Sequence, residues 1–232
     1  MTKTRSTLWS RRELRGLFVG ACATVVLTFA ALTVYVTQRA SQPRLVNHVD
    51  QHLRAYPGAW RYALAEWVRS AGSAPVVVAA ALMAALVVWW VWRRSDLALL
   101  CVAAPLFAGV AELAIKSVVE RGATERSALE GAFGAGFPSG HTAGVTAIAA
   151  AVVVCTLELA RDRRSSWYAL AAAGGFVFAV AVGSVVGGAH RSLDVVGGML
   201  LGIAATLAVF IVVSVQVDVG GRSARSIQSD PQ

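Results

Sequence analysis

The chain has 232 residues, of which 56% are apolar, with a mean hydropathy of +0.61 and a formal net charge of +8. A soluble domain carries roughly 45–50% apolar residues, so this composition excludes an ordinary water-soluble globule. The positive charge does not point to nucleic acid, because it is shared out among the short segments that separate long apolar runs.

Residues 1–16 are a basic N-terminus holding Lys3, Arg5, Arg11, Arg12 and Arg15. The first apolar run, Leu17–Val36, follows this stretch as the core of a signal peptide would, but it exceeds the roughly 7–15 residues of such a core and is read as the first span. Asn47–Gly72 then mixes Trp60, Tyr62 and Trp67 with arginines, the composition of a helix lying in the membrane interface. His48 and His52 are four apart there, but no third ligand accompanies them and no metal site is expected. Pro75–Trp92 and Leu97–Ala114 are the second and third spans, with Arg93 and Arg94 between them. Thr142–Leu159 and Ala169–Val186 are the fourth and fifth, separated by Arg161, Arg163 and Arg164. Val195–Val215 is the sixth, followed by Arg222 and Arg225 in a polar tail, residues 217–232, that its composition predicts to be disordered.

Each run has about the 20 residues a helix needs to cross a bilayer core. Residues 17–216 therefore read as one domain, an all-α bundle of six transmembrane helices with an interfacial helix in the first outer loop. The arginines at both termini and in the second and fourth loops share one side, which the positive-inside rule makes cytoplasmic. Loops 37–74, 115–141 and 187–194 then lie outside. Cys22, Cys101 and Cys155 fall within spans, without the spacing of a metal site.

Ionisable groups at membrane depth are functional suspects, and three clusters fall at the outer ends of the spans. In "ELAIKSVVER", Glu112 and Lys116 are four apart on one helix face and able to pair, although Lys116 alone is equally consistent with snorkelling to water. In "PSGH", Pro138 is expected at the first helical position, with the backbone amides of Ser139, Gly140 and His141 behind it. Such a helix start is an anion site, and Gly140 permits close approach; an ordinary cap by Ser139 is the plainer alternative. In "GGAHRSLDVVGG", His190 and Asp194 are four apart, so the carboxylate can fix one ring nitrogen and leave the other as a nucleophile. Together these groups are an inventory for phosphoryl transfer through a covalent intermediate.

These stretches resemble the type 2 phosphatidic acid phosphatase (PAP2) superfamily, whose membrane members are lipid phosphate phosphatases. The motif Pro-Ser-Gly-His is intact as Pro138–His141, and His-x3-Asp is present as His190–Asp194. Lys116 stands where the motif Lys-x6-Arg-Pro begins. The resemblance implies a six-helix core and a metal-independent phosphatase without a cofactor. His190 would be the nucleophile that forms a phosphohistidine, Asp194 its orienting acid and His141 the general acid. Lys116, Ser139 and Gly140 would hold the phosphate.

Two family arginines are missing. Ala123 and Thr124 stand where the first motif has Arg-Pro, and Gly183 and Ser184 stand where the third has Ser-Arg. Losing one such transition-state contact costs about 2–4 kcal/mol, roughly a hundredfold or more in rate. Arg121, Arg126 and Arg191 are the nearby candidates to replace them. The expected protein is an enzyme of a bacterial cell membrane, with both termini cytoplasmic and an extracytoplasmic site acting on a lipid phosphate or diphosphate. The alternative is a catalytically weak relative that binds a lipid phosphate or a protein partner. Oligomeric state does not follow from the sequence.

Overall fold

In the computed structural model, the backbone of residues 11–38, 43–122, 136–159 and 162–228 is described, and within these ranges the side chains of 11–15, 120–122, 163 and 216–228 are not. These residues form α1 (Arg11–Gln38), α2 (Arg44–Leu53), α3 (Trp60–Ser70), α4 (Ala74–Trp92), α5 (Ser95–Gly122), α6 (Gly140–Leu159), α7 (Arg163–Val186) and α8 (Ser192–Gln228). Among the described residues there is no strand. Six helical stretches are long and apolar enough to cross a bilayer: Gly16–Gln38, Ala74–Trp92, Ser95–Val119, Gly140–Leu159, Arg164–Val186 and Ser192–Val215. They match the six apolar runs, and the third extends far enough to include Lys116. The chain is a multi-pass membrane protein.

In a hydrocarbon solvent every backbone polar group needs an internal partner, and a helix supplies one. The same rule governs the hydroxyls of α1. Thr24, Thr28, Thr33 and Thr37 each donate to the carbonyl four residues back, at 2.9, 2.8, 2.9 and 3.0 Å. On α4 only Val77, Ala81 and Val88 are buried, while Val78, Leu82, Leu86 and Trp90 are exposed as a lipid-facing surface. Trp89, Trp90 and Trp92 collect at the end of α4 beside Arg93 and Arg94, the arrangement of a membrane–water boundary.

α6 and α8 form the centre. Ala143, Ala147 and Ala151 of α6 are fully buried, and α8 meets α6 with glycine. A Cβ at Gly202 would lie 2.6 Å from the Ala143 carbonyl oxygen and 2.7 Å from Thr146 Cβ, so only glycine permits this approach. One turn on, Thr206 Oγ1 lies 3.1 Å from the Ala147 carbonyl and 2.9 Å from its own helix at Gly202.

α2 and α3 do not span. They lie over the junction of α7 and α8, where the Ala55 amide donates to the Val186 carbonyl at 2.8 Å. A Cβ at Gly183 would stand 3.0 Å from the Ala65 carbonyl oxygen, so α3 sits directly on the backbone of α7. The exposed Tyr56, Trp60, Leu64 and Trp67 give this segment the surface of an interfacial element.

Two local expectations are corrected. α8 runs to Gln228 rather than ending near Val215, so 217–228 are helical; a span already formed extends by one hydrogen bond per residue with no new nucleation cost. Residues 229–232 lie outside the described residues. Pro138 is not the first helical residue either: α6 opens at Gly140, Ser139 caps it, and Pro138 sits in the preceding turn after a cis peptide bond.

Gly202→Val forces a branched side chain into the α6 backbone, and overpacking of this kind costs about 1–3 kcal/mol or more. The expected result is a lower unfolding midpoint in detergent, whereas Gly174→Ala, at a helix-interior position with no neighbour within 4 Å, is expected to hold or slightly raise the midpoint.

Candidate active site

The first turn of α6 is fixed from two sides. The Ser139 amide donates to the Asp194 carbonyl at 2.9 Å, which joins the start of α6 to the first turn of α8. Ser139 Oγ lies 3.1 Å from Thr142 Oγ1 and accepts from the Thr142 amide at 3.4 Å. Ser139 is fully buried. Its amide is therefore engaged and its hydroxyl is a helix cap, so the role of phosphate ligand expected for Ser139 is not supported. Of the three amides assigned to an anion site, those of Gly140 and His141 remain.

The turn between α7 and α8 presents His190. The amides of Ala189 and His190 both donate to the Ser184 carbonyl at 3.1 Å, which curls the chain back over the end of α7. Asp194 Oδ2 accepts from the Arg191 amide at 2.9 Å and lies 4.0 Å from His190 Nδ1. His190 Nδ1 and Asp194 Oδ1 are both buried and, among the described residues, without a hydrogen-bond partner. A modest turn of the carboxylate would satisfy both atoms, and catalytic hydrogen bonds commonly tighten only when ligand binds. Asp50 of α2 holds the same turn from outside, accepting from the Ser192 amide at 3.3 Å and from its hydroxyl.

His141 and His190 face each other, with ring centroids 6.2 Å apart and planes inclined by 59°. Lys116 pairs with Glu112 one turn below it on α5. The Glu112 carboxylate also lies against the opening of α6, 3.0 Å from where a Cβ of Gly140 would stand. A negative charge thus already occupies the positive end of the helix dipole. A cavity of about 720 Å³ begins at Lys116, Gly140, His141 and His190 and continues between α4 and α5 along Val78, Leu82, Val102 and Leu106. One end is polar and the rest is apolar.

A second cation at this site is one to which no motif points. Arg69 of α3 lies with Nη1 3.1 Å from His141 Nε2. Its Nε and Nη2 donate to the two carboxylate oxygens of Glu66 at 3.0 and 2.6 Å. That bidentate pair holds the Glu66 carboxyl below its ordinary range and raises the Arg69 guanidinium above its own. The i, i+3 spacing of Glu66 and Arg69 is visible in the sequence, but in an interfacial helix it reads as a solvated ion pair. Among the proposed substitutes, Arg191 gives its backbone amide to Asp194 and does not line the cavity. Arg121 lies on α5 with its side chain outside the described residues, and Arg126 falls outside them altogether.

Lys116, Gly140, His141 and His190 thus line one cavity, with Asp194 beside His190. The sequence model of the PAP2 superfamily matches residues 114–218. Over those residues the chain is similar to the PAP2 superfamily. They hold α6, α7, the His190 turn, the spanning part of α8 and the end of α5 with Lys116. A search of curated proteins returned no match. A crystal structure of a transmembrane PAP2-type phosphatidylglycerolphosphate phosphatase from Bacillus subtilis aligns with a TM-score of 0.63 at 17% identity, over 81% of this chain and 93% of that one. At that identity the likeness concerns the fold, which is the all-helical membrane architecture of a PAP2 protein.

Burial first, and then the positive charge of Lys116, push the His190 imidazole from 6.5 down to about 4. A group with a lowered value is deprotonated above it, so His190 is neutral at neutral pH with a lone pair available. In ligand-free protein, ring resonances of His190 are expected to hold steady from pH 8 to below 6 and to titrate near pH 4. A midpoint near 6.5 would mean that the ring is open to water.

Proposed function

We propose that this protein hydrolyses a phosphate monoester or diphosphate carried on a lipid, through a phosphohistidine formed on His190, at the extracytoplasmic face of a bacterial cell membrane. Its PAP2 sequence and the fold it shares with a PAP2-type phosphatase support a phosphatase. The observation that carries the detailed reading is the 6.2 Å separation of the His141 and His190 rings at the polar end of an apolar cavity. Rings whose centroids lie this close can both contact a single phosphoryl group held at the polar end of the cavity.

Asp194 faces Nδ1 of His190, which leaves Nε2 for phosphorus. As the Nε2–P bond forms, the P–O bond to the lipid breaks, and the leaving oxygen takes a proton from His141. Water then gives its proton back to His141 and attacks the phosphohistidine, which releases inorganic phosphate and restores both rings. Lys116 and the amides of Gly140 and His141 offset charge on the phosphoryl oxygens. The apolar length between α4 and α5 suits an acyl or prenyl chain that stays in the bilayer plane while its headgroup reaches the histidines.

The test uses purified protein in detergent with EDTA present and a panel of phosphatidic acid, phosphatidylglycerol phosphate and prenyl diphosphate. The expected result is phosphate release that His190→Ala abolishes, and acid-labile, base-stable labelling of the wild-type protein by a 32P substrate in a rapid quench. No release from any substrate by well-folded protein would favour a binding role. Release that survives His190→Ala would remove the phosphohistidine.

A further inference from the structure

We infer that Arg69, on the interfacial helix α3, is the phosphate-binding guanidinium of this site, taking over from a different helix the role left vacant where Ser184 replaces the family arginine. The inference rests on the phosphatase reading above and adds to it a residue outside the matched residues 114–218.

Three observations lead there. Arg69 Nη1 is 3.1 Å from Nε2 of His141, and His141 lines the polar end of the cavity beside His190. The guanidinium is oriented by its bidentate contact with Glu66, which leaves Nη1 directed at the ring. The seat of α3 is built for this approach. Gly183 stands where the third motif has serine, next to the position of the missing arginine. A Cβ there would lie 3.0 Å from the Ala65 carbonyl oxygen and 3.4 Å from the Arg69 amide nitrogen. At the other end of the α3 seat, Gly72 admits no Cβ either, since one would stand 2.9 Å from the His141 carbonyl oxygen. The backbone of Arg69 thus lies against the residue next to the one that lacks the arginine.

The contact with His141 also defines the resting state. A guanidinium donates only, so Nε2 of His141 accepts and carries no proton while Arg69 holds it. A phosphate entering between the rings offers Nη1 a charged acceptor, and charge-assisted bonds of this kind are the stronger ones. Transfer of Nη1 from Nε2 to a phosphoryl oxygen frees Nε2 to take a proton from solvent water, and the imidazolium so formed passes that proton to the leaving oxygen. Arg69 thus binds the substrate and releases the acid in one movement.

The experiment compares wild type, Arg69→Ala, Arg69→Lys, Arg61→Ala and His190→Ala in the phosphatidic acid assay, with orthovanadate binding measured by calorimetry on the same samples. Arg61 lies on the same helix and is exposed, so Arg61→Ala controls for charge and surface loss. Arg69→Ala is expected to lower kcat/KM by roughly a hundredfold or more and to weaken vanadate binding by at least about tenfold. Arg69→Lys is expected to recover only part of this, because an ammonium lacks the fork, and added guanidinium chloride at millimolar levels is expected to raise the rate of Arg69→Ala alone. Should Arg69→Ala fail to fold, Arg69→Lys keeps the charge and packing and carries the same comparison. An unchanged kcat/KM and vanadate affinity in Arg69→Ala, with His190→Ala inactive, overturns the role of Arg69 and leaves the phosphatase intact. If wild type releases no phosphate from any substrate, the phosphatase reading fails, and the vanadate affinities still decide Arg69.

Discussion

The Ser139 amide donates to the Asp194 carbonyl at 2.9 Å, and this bond joins the first turns of α6 and α8. It demands that the two helices approach more closely than ordinary side chains allow. Gly197 of α8 lies against the Phe137 ring, Gly198 against the Ser139 carbonyl, and Gly202 against the backbone of α6. In a bilayer no hydrophobic force presses helices together, so close packing of small residues has to supply the association. With that seam closed, His141 follows Ser139 by two residues, His190 precedes Asp194 by four, and the two rings come to face each other. The imidazole spacing is thus set by backbone packing rather than by any direct bond between the histidines.

The charges of the site balance in pairs. Lys116 is met by Glu112 and Arg69 by Glu66. A cation at membrane depth without a partner is costly, and both carboxylates come from the same helix as their cation. A phosphate arriving at the opening of α6 competes with Glu112 for Lys116 and for the helix dipole. The carboxylates hold the cations ready and neutral overall, at the expense of some affinity for the incoming anion. Such an arrangement suits a site that has to release its phosphate product after each turnover.

The six spans were readable because hydrocarbon solvent imposes one rule on every residue, and length with apolarity is enough to apply it. Pro138–His141 and His190–Asp194 were readable because short spacing on a helix fixes geometry locally. The engagement of the Ser139 amide was not, because its partner is the Asp194 carbonyl, and a backbone acceptor leaves no mark in a side-chain motif. Arg69 was hidden for a related reason. It comes from a helix that the composition marks only as interfacial, and its link to His141 spans 72 residues of sequence. The helical stretch 217–228 escaped because polarity alone reads as disorder, whereas a helix growing out of a span needs no apolar face to continue.

The end of α7 beside the candidate site is tightly packed. Ser184 is completely buried, its hydroxyl 2.8 Å from the Val180 carbonyl and its own carbonyl holding the amides of Ala189 and His190. α3 rests closely on the neighbouring Gly183, where a Cβ would stand 3.0 Å from the Ala65 carbonyl oxygen. Interiors at this density do not absorb a side chain the size of arginine without moving a helix. Glycine at 183, which taken alone reads as part of a damaged motif, lets α3 sit close to the backbone of α7, and the guanidinium beside His141 comes from that helix.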